Sequence, residues 1–121
     1  MTTVLTIDDS PSIRQIVSLT LSGAGYDVLE AADGAEGLKI ATERKVDVVL
    51  TDLNMPVMNG IEFTRSFRGH PAGRGVPVVL LTTESDESMK AQAKGAGATG
   101  WIQKPFQQGQ LLRIMAKVAG A

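Results

Sequence analysis

Short apolar runs alternate with amphipathic stretches along this chain. Strands that are buried on both faces have apolar residues at nearly every position, whereas half-exposed strands alternate apolar and polar residues. Most of the short runs here are of the continuous kind. They predict five strands, over Val4 to Ile7, Val28 to Ala31, Val46 to Thr51, Val76 to Leu81 and Ala98 to Ile102.

Helical spacing fills the intervals between these runs. Ser10 is a suitable N-cap and Pro11 suits the first turn of a helix, which Gly23 and Gly25 end. The apolar spacing predicts helices over about 11–23, 34–43, 61–67, 86–96 and 111–118. The glycine-rich segment 68–75 is expected to be a surface loop, and not a domain boundary.

Five strands that alternate with five helices predict an α/β fold. Right-handed crossovers between parallel strands place helices on both faces of the sheet. We therefore expect one domain over residues 1–121, with a doubly wound parallel sheet of five strands. Ligands of such domains bind at the carboxyl ends of the strands, beside the point where the strand order reverses.

Polar and charged side chains lie where the predicted strands end. Asp8 and Asp9 follow the first strand, Asp52 the third, Thr82 the fourth and Lys104 the fifth. Carboxylates in such positions are costly without a cation, and the hard oxygen ligands of one crevice suit Mg²⁺. As the central acid, Asp52 is a candidate carboxylate nucleophile that would form an aspartyl phosphate.

Each of these residues also has an ordinary structural interpretation. The Asp8-Asp9 pair suits the start of a helix, Asp52 could cap a strand, and Thr82 could bond to its own backbone. Lys104 could be a surface lysine, although before a proline at a strand end it offers a point charge to a phosphate. Their shared position at strand ends favours one common site.

Composition excludes several functional classes. The formal net charge is −1 and no long basic run occurs, which argues against a general nucleic-acid or membrane-surface binder. No apolar run approaches the ~20 residues that span a bilayer. Cysteine is absent, so disulfides and thiolate metal sites are excluded. A cytoplasmic, monomeric domain is expected, with His70 as an ordinary surface residue.

Four motifs together resemble the receiver domains of two-component response regulators, especially the single-domain, CheY-like chemotaxis regulators. They are Asp8-Asp9-Ser10, the block from Asp52 to Gly60, Leu81-Thr82-Thr83-Glu84 and Lys104-Pro105-Phe106. The resemblance covers the whole chain. It implies the strand order 2-1-3-4-5 and a cis peptide bond between Lys104 and Pro105.

The resemblance also implies how a phosphoryl group and a metal ion would bind. Asp52 would accept the phosphoryl group from a histidine kinase. Asp9 would bind Mg²⁺ directly, and Asp8 largely through water. Asp52 itself and the backbone carbonyl of Asn54 would complete the protein ligands.

Three further roles follow from the resemblance. Thr82 and Lys104 would contact the phosphoryl group, and Asn54 and Glu84 match positions at which the family tunes autodephosphorylation. Trp101 stands where the family usually has a switch tyrosine.

The implied function is that of a signalling protein and not an enzyme: a stand-alone phosphorylation switch. Its partner would bind the face made from helix four, strand five and helix five, and the flagellar motor switch protein is the expected partner. No effector domain is expected beyond Ala121, so no direct action on DNA is expected. The alternatives are a phosphorelay intermediate or phosphate sink, and a phosphatase of the haloacid dehalogenase type. Such a phosphatase needs a second acid where Asn54 stands.

Overall fold

The apolar runs pair in parallel to form one sheet in the computed structural model, which describes residues 2–119. The order is β2-β1-β3-β4-β5, as predicted, so the strand order reverses between β1 and β3. The strands are β1 (Thr3–Ile7), β2 (Asp27–Ala31), β3 (Val48–Thr51), β4 (Val78–Thr82) and β5 (Gly100–Gln103).

Helices cover both faces of this sheet. They are α1 (Pro11–Gly23), α2 (Gly34–Glu43), α3 (Gly60–Arg68), α4 (Glu87–Ala96) and α5 (Gln108–Val118). Buried residues of α1 and α5 pack on one face, and those of α2, α3 and α4 pack on the other. Phe63 and Phe67 of α3 are fully buried between the sheet and the helices of this second face, and their stacked rings have centroids 5.4 Å apart. None of the helices within residues 2–119 is long and apolar enough to cross a membrane.

Two side-chain caps determine where helices beside the site begin. The Ser10 hydroxyl accepts a hydrogen bond from the Ile13 amide, and Pro11 occupies the first turn of α1. At α3, Asn59 and Glu62 form a reciprocal capping box. Both helices therefore start directly after loops that follow β1 and β3.

Three strands start later than their apolar runs predict. β3 begins at Val48 and not Val46, and just before it the Asp47 carboxylate accepts the hydrogen bond of the Thr3 amide at 2.8 Å. β4 spans Val78–Thr82, since the preceding Pro77 has no N–H to donate. β5 spans Gly100–Gln103, two residues after its predicted start.

The segment 68–75 is more ordered than a simple loop. Arg68 belongs to α3, and Pro71–Gly73 form a short 3₁₀ helix. The Arg68 guanidinium donates hydrogen bonds to the carbonyls of Gly73, Val76 and Gly97. His70 is exposed, as expected.

The outward face of α1 also differs from the simple helical pattern. Ile16 has helical spacing with Val17 and Leu21, yet 47% of its surface is exposed, and Leu19 is 66% exposed. Only Val17 and Leu21 of this helix are fully buried.

Candidate functional site

Three carboxylates meet at the edge of the sheet where the strand order reverses. Asp8 follows β1 and Asp52 follows β3, and the Asp52 amide donates to the carbonyl of Ile7 on β1 at 2.8 Å. One carboxylate oxygen from each of Asp8, Asp9 and Asp52 lies within 4.8 Å of the others. The sheet topology therefore brings together the acids that the sequence places far apart.

A single lysine enters this acidic cluster from β5. The Lys104 Nζ lies 2.9 Å from Asp8 Oδ2 and 3.6 Å from Asp52 Oδ1, and all three side chains are nearly buried. The backbone amide of Lys104 donates to the carbonyl of Thr82 at 2.7 Å. The Lys104-Pro105 peptide bond is cis, as the resemblance predicted.

Asp52 has one engaged oxygen and one open oxygen. The Leu53 amide donates to Asp52 Oδ1 at 2.8 Å, whereas Oδ2 makes no hydrogen bond within residues 2–119. Burial raises the pKa of Asp52 above its usual value of 3.8. Lys104 lowers this pKa, Asp8 raises it, the Leu53 amide lowers it and Asp9 raises it, in decreasing order of effect. Asp52 is thus a buried carboxylate with an oxygen available to a ligand.

Asp8 and Asp9 have contrasting surroundings although they are adjacent. The two carboxylate oxygens of Asp8 accept from the Ser10 amide at 2.9 Å and from Lys104. The Asp9 side chain is exposed and forms no hydrogen bond with any other part of the described chain. A cation at this edge of the sheet would find Asp9 unoccupied and Asp8 already paired.

Thr82, Glu84 and Trp101 form a connected chain beside the acids. The buried Thr82 hydroxyl oxygen accepts from the Glu84 amide at 3.2 Å, and the Glu84 carbonyl accepts from Trp101 Nε1 at 3.1 Å. Lys90 Nζ lies 5.9 Å from the centre of the indole ring. Because the hydroxyl of Thr82 only accepts a hydrogen bond here, its hydrogen remains available for donation to a ligand.

The two ends of the β3–α3 loop, Asp52 and Gly60, lie close together. A Cβ at Gly60 would come within 2.3 Å of the Asp52 carbonyl oxygen, so only glycine fits this approach. Asn54 lies on the same loop and is exposed. Its backbone carbonyl remains a predicted metal ligand.

Arg14 contacts the acid cluster although no motif includes it. Its Nη1 donates to the backbone carbonyl of Asp8 at 2.6 Å, and its Nε donates to Glu30 at 3.0 Å. Long side chains on a helix point toward its N-terminus. An arginine near the start of a helix that follows an acid pair is therefore the sequence signal that could have predicted the contact of Arg14 with the site.

Together these groups provide an open carboxylate oxygen, oxygen ligands suited to a hard cation, and a lysine and a hydroxyl beside them. They lie at the carboxyl ends of the strands of a doubly wound α/β fold. The sequence profile of the response regulator receiver domain matches residues 4–116. The chain belongs to this family.

Curated relatives support the same family. The transcriptional regulatory protein KdpE of Mycobacterium tuberculosis H37Rv is 40% identical over 119 residues, which are 98% of this chain and 51% of KdpE. PilH of Pseudomonas aeruginosa is 36% identical over 121 residues, 99% of this chain and 100% of PilH. The chain spans about half the length of several curated relatives that it matches, KdpE among them.

Two solved structures have the same fold. The chemotaxis response regulator CheY4 of Vibrio cholerae is 47% identical, with a TM-score of 0.93 over 98% of both chains. The receiver domain of the sensor histidine kinase PA1611 of Pseudomonas aeruginosa is 29% identical. Its TM-score is 0.92 over 99% of this chain and 98% of its own, and it has a magnesium ion coordinated in the active site cleft.

Proposed function

We propose that Asp52 accepts a phosphoryl group from a histidine kinase, and that this changes the affinity of the protein for a partner. The observation that carries the proposal is the buried contact of Lys104 with Asp8 and Asp52 inside a cluster of three carboxylates. A surface lysine, or an acid that only caps a strand, would not require a buried contact between one lysine and two carboxylates. The receiver-domain family supports the same function.

The donor set fits Mg²⁺. Three carboxylates with oxygens within 4.8 Å of one another are hard ligands in a compact space. In this proposal Asp9, Asp52 and the backbone carbonyl of Asn54 hold the ion, and Asp8 acts largely through water. When bound, Mg²⁺ neutralises negative charge on the acids and on the incoming phosphoryl oxygens.

The proposed transfer uses the open oxygen of Asp52. Oδ2 attacks phosphorus, the P–N bond of a phosphohistidine breaks, and the bonding electrons leave with the imidazole nitrogen. Lys104 and the Thr82 hydroxyl then hold phosphoryl oxygens. In this step the Lys104 ammonium moves from its contact with Asp8 and Asp52 toward the phosphoryl group on Asp52.

We propose that the partner binds an output face made of α4, β5 and α5, and that this partner is acidic. Lys94, Arg113 and Lys117 are exposed on its two helices, and Lys90 lies beside the Trp101 ring. A groove of about 330 Å³ runs between α4 and β5 and is lined by Lys90 and Lys94.

The likeness to CheY4 favours a chemotaxis output at the flagellar motor switch. A cytoplasmic location and a monomeric, stand-alone chain belong to this proposal.

A relay or phosphate sink is the second candidate function. The likeness to the receiver domain of a sensor histidine kinase favours it, since the chain would then pass its phosphoryl group to another protein. A phosphorylated form that binds a motor switch peptide more tightly than the unphosphorylated form supports the first candidate. Transfer to a second histidine without such a gain supports the relay.

The phosphoacceptor is tested with a small acyl phosphate and Mg²⁺. Intact-protein mass spectrometry is expected to show one added phosphoryl group on the wild type and none on Asp52→Asn. Asp27→Asn is the matched control, because Asp27 is an exposed carboxylate at the opposite end of the sheet and should leave labelling unchanged. Equal labelling of Asp52→Asn would assign the acceptor to another residue.

A further inference from the structure

We propose that Arg14 is a positioning residue that orients Asp9 toward the cation. This inference rests on the proposed function, because it takes Mg²⁺ as the ion that Asp9 meets. Arg14 is the fourth residue of α1, and its side chain reaches back over the loop between β1 and α1. There it donates to two different acceptors: Nη1 donates to the Asp8 carbonyl, and Nε donates to the carboxylate of Glu30 on β2.

The Asp8 carbonyl is the part of the loop that controls Asp9. It belongs to the planar peptide unit that joins Asp8 to Asp9. A hydrogen bond to this carbonyl therefore fixes the orientation of that plane, and with it the direction in which the Asp9 side chain leaves the backbone. On the far side of Asp9, the Ser10 amide is bonded to Asp8 Oδ1 at 2.9 Å. Arg14 and Ser10 thus hold the chain on both sides of Asp9, whose own side chain forms no hydrogen bond within residues 2–119.

The sheet cannot supply this constraint. The last hydrogen bond of β1 toward β2 is from the Asp8 amide to the Ala31 carbonyl at 3.1 Å, and Asp9 lies beyond it. Arg14 is only 20% exposed, and Glu30, at 48%, fixes the guanidinium from the neighbouring strand. An exposed ion pair by itself would contribute ~0–1 kcal/mol. The bond to the Asp8 carbonyl is what gives the pair a role at the site.

Charge and positioning predict opposite effects on cation binding. A guanidinium close to the acid cluster repels an incoming cation, so charge alone predicts that loss of Arg14 tightens Mg²⁺ binding. If Arg14 orients Asp9, its loss loosens the loop and weakens Mg²⁺ binding. The sign of the change therefore separates the two roles.

The experiment measures Mg²⁺ affinity of the full chain by calorimetry, with no phosphoryl donor present. Arg14→Gln is expected to weaken Mg²⁺ binding by about 10-fold, the effect typical of residues that orient metal ligands. Arg14→Lys keeps the charge but cannot bond both Glu30 and the Asp8 carbonyl, so its Mg²⁺ affinity should lie between those of the wild type and Arg14→Gln. Arg44→Gln removes the same charge from the C-terminal end of α2, near the amino ends of the strands, and should leave Mg²⁺ affinity unchanged.

A double-mutant cycle shows whether Arg14 acts through Asp9. In an Asp9→Asn background, Arg14→Gln should have no further effect on Mg²⁺ affinity, whereas two independent effects would add. Unchanged or tighter binding in Arg14→Gln or Arg14→Lys overturns the inference, and so does additivity in the cycle. If those results come with normal labelling of Asp52 in the wild type, the inference fails alone. A wild type that neither binds Mg²⁺ nor becomes labelled overturns the proposed function along with it.

Discussion

Burial of Asp52 gives this one residue a cost in the folded protein. Its side chain is 12% exposed, it has two acidic neighbours, and Lys104 provides partial compensation at 3.6 Å. Burial is the largest influence, and it raises the pKa of Asp52 above 3.8. The folded protein therefore holds a proton on Asp52 more tightly than the unfolded chain does. Ionised Asp52 stabilises a bound cation or lysine but destabilises the empty fold.

This cost predicts a pH-dependent gain in stability from Asp52→Asn. As the pH rises above 3.8 through the raised pKa, the wild type loses stability, because its unfolded state ionises more readily. Without Mg²⁺, Asp52→Asn should have a higher free energy of unfolding than the wild type at pH 7. The gain should shrink as the pH falls toward 4.

Urea denaturation between pH 4 and pH 7 measures this difference. Asp27→Asn, at an exposed position, should show no comparable gain. A variant Asp52→Asn that is less stable at pH 7 would mean that the attraction to Lys104 outweighs burial.

At the scale of elements, glycine in a helix has two different explanations in this fold. Gly37 of α2 packs directly on β1: an added Cβ would come within 2.3 Å of Ile7 Cδ1, and Ile7 is buried. Gly95 of α4 has open space around it, with nothing within 4 Å of an added Cβ. The sequence presents both as glycines that weaken a predicted helix.

Alanine should therefore have opposite effects at these two positions. Gly95→Ala should stabilise the protein by about 0.5–1 kcal/mol, because alanine has the higher helix propensity. Gly37→Ala has the same gain in propensity, but overpacking against Ile7 should leave it destabilised by about 1–3 kcal/mol. Chemical denaturation of the two variants beside the wild type measures both. Equal stabilisation by the two changes would show that α2 can move away from β1 without cost.

At the scale of the whole molecule, a continuous set of contacts joins the acid cluster to the proposed output face. It runs from Thr82 at the end of β4, through the backbone of Glu84, to Trp101 on β5 and Lys90 on α4. A phosphoryl group that draws the Thr82 hydroxyl would also draw the Glu84 amide. The carbonyl that holds the indole would then move with it.

Trp101 should report this coupling by fluorescence, since it is the only tryptophan of the chain. Beryllofluoride, a phosphoryl analogue, is expected to change the Trp101 emission in the presence of Mg²⁺. Thr82→Ala should remove most of the change, because it removes the hydroxyl that starts the chain of contacts. Thr82→Ser, which keeps that hydroxyl, should retain the change. A full response in Thr82→Ala would show that the signal reaches β5 by another route.

Much of this fold is set by local sequence. Continuous apolar runs identified all five strands, and helical spacing with caps such as Ser10 identified the helices. The strand order 2-1-3-4-5 and the cis bond before Pro105 followed from the family resemblance, and the structure has both. Errors lay at the boundaries of elements: β3, β4 and β5 start later than predicted, and α5 starts at Gln108, three residues earlier. The missing N–H of Pro77 was visible in the sequence, whereas the contact between Asp47 and Thr3 joins two strands and was not.

The sequence by itself determined which residue types stand at the ends of strands: Asp8, Asp9, Asp52, Thr82 and Lys104 were all visible as acids, a hydroxyl and a lysine after apolar runs. Only the tertiary structure decided how each is used. Asp8 accepts a hydrogen bond from Lys104, Asp9 is left open, and Arg14 bonds the carbonyl of the peptide unit that joins them. Periodicity records which side of an element faces the core. Hydrogen-bond partners that lie as far as 96 residues apart are selected only when the parallel strands bring their carboxyl ends together.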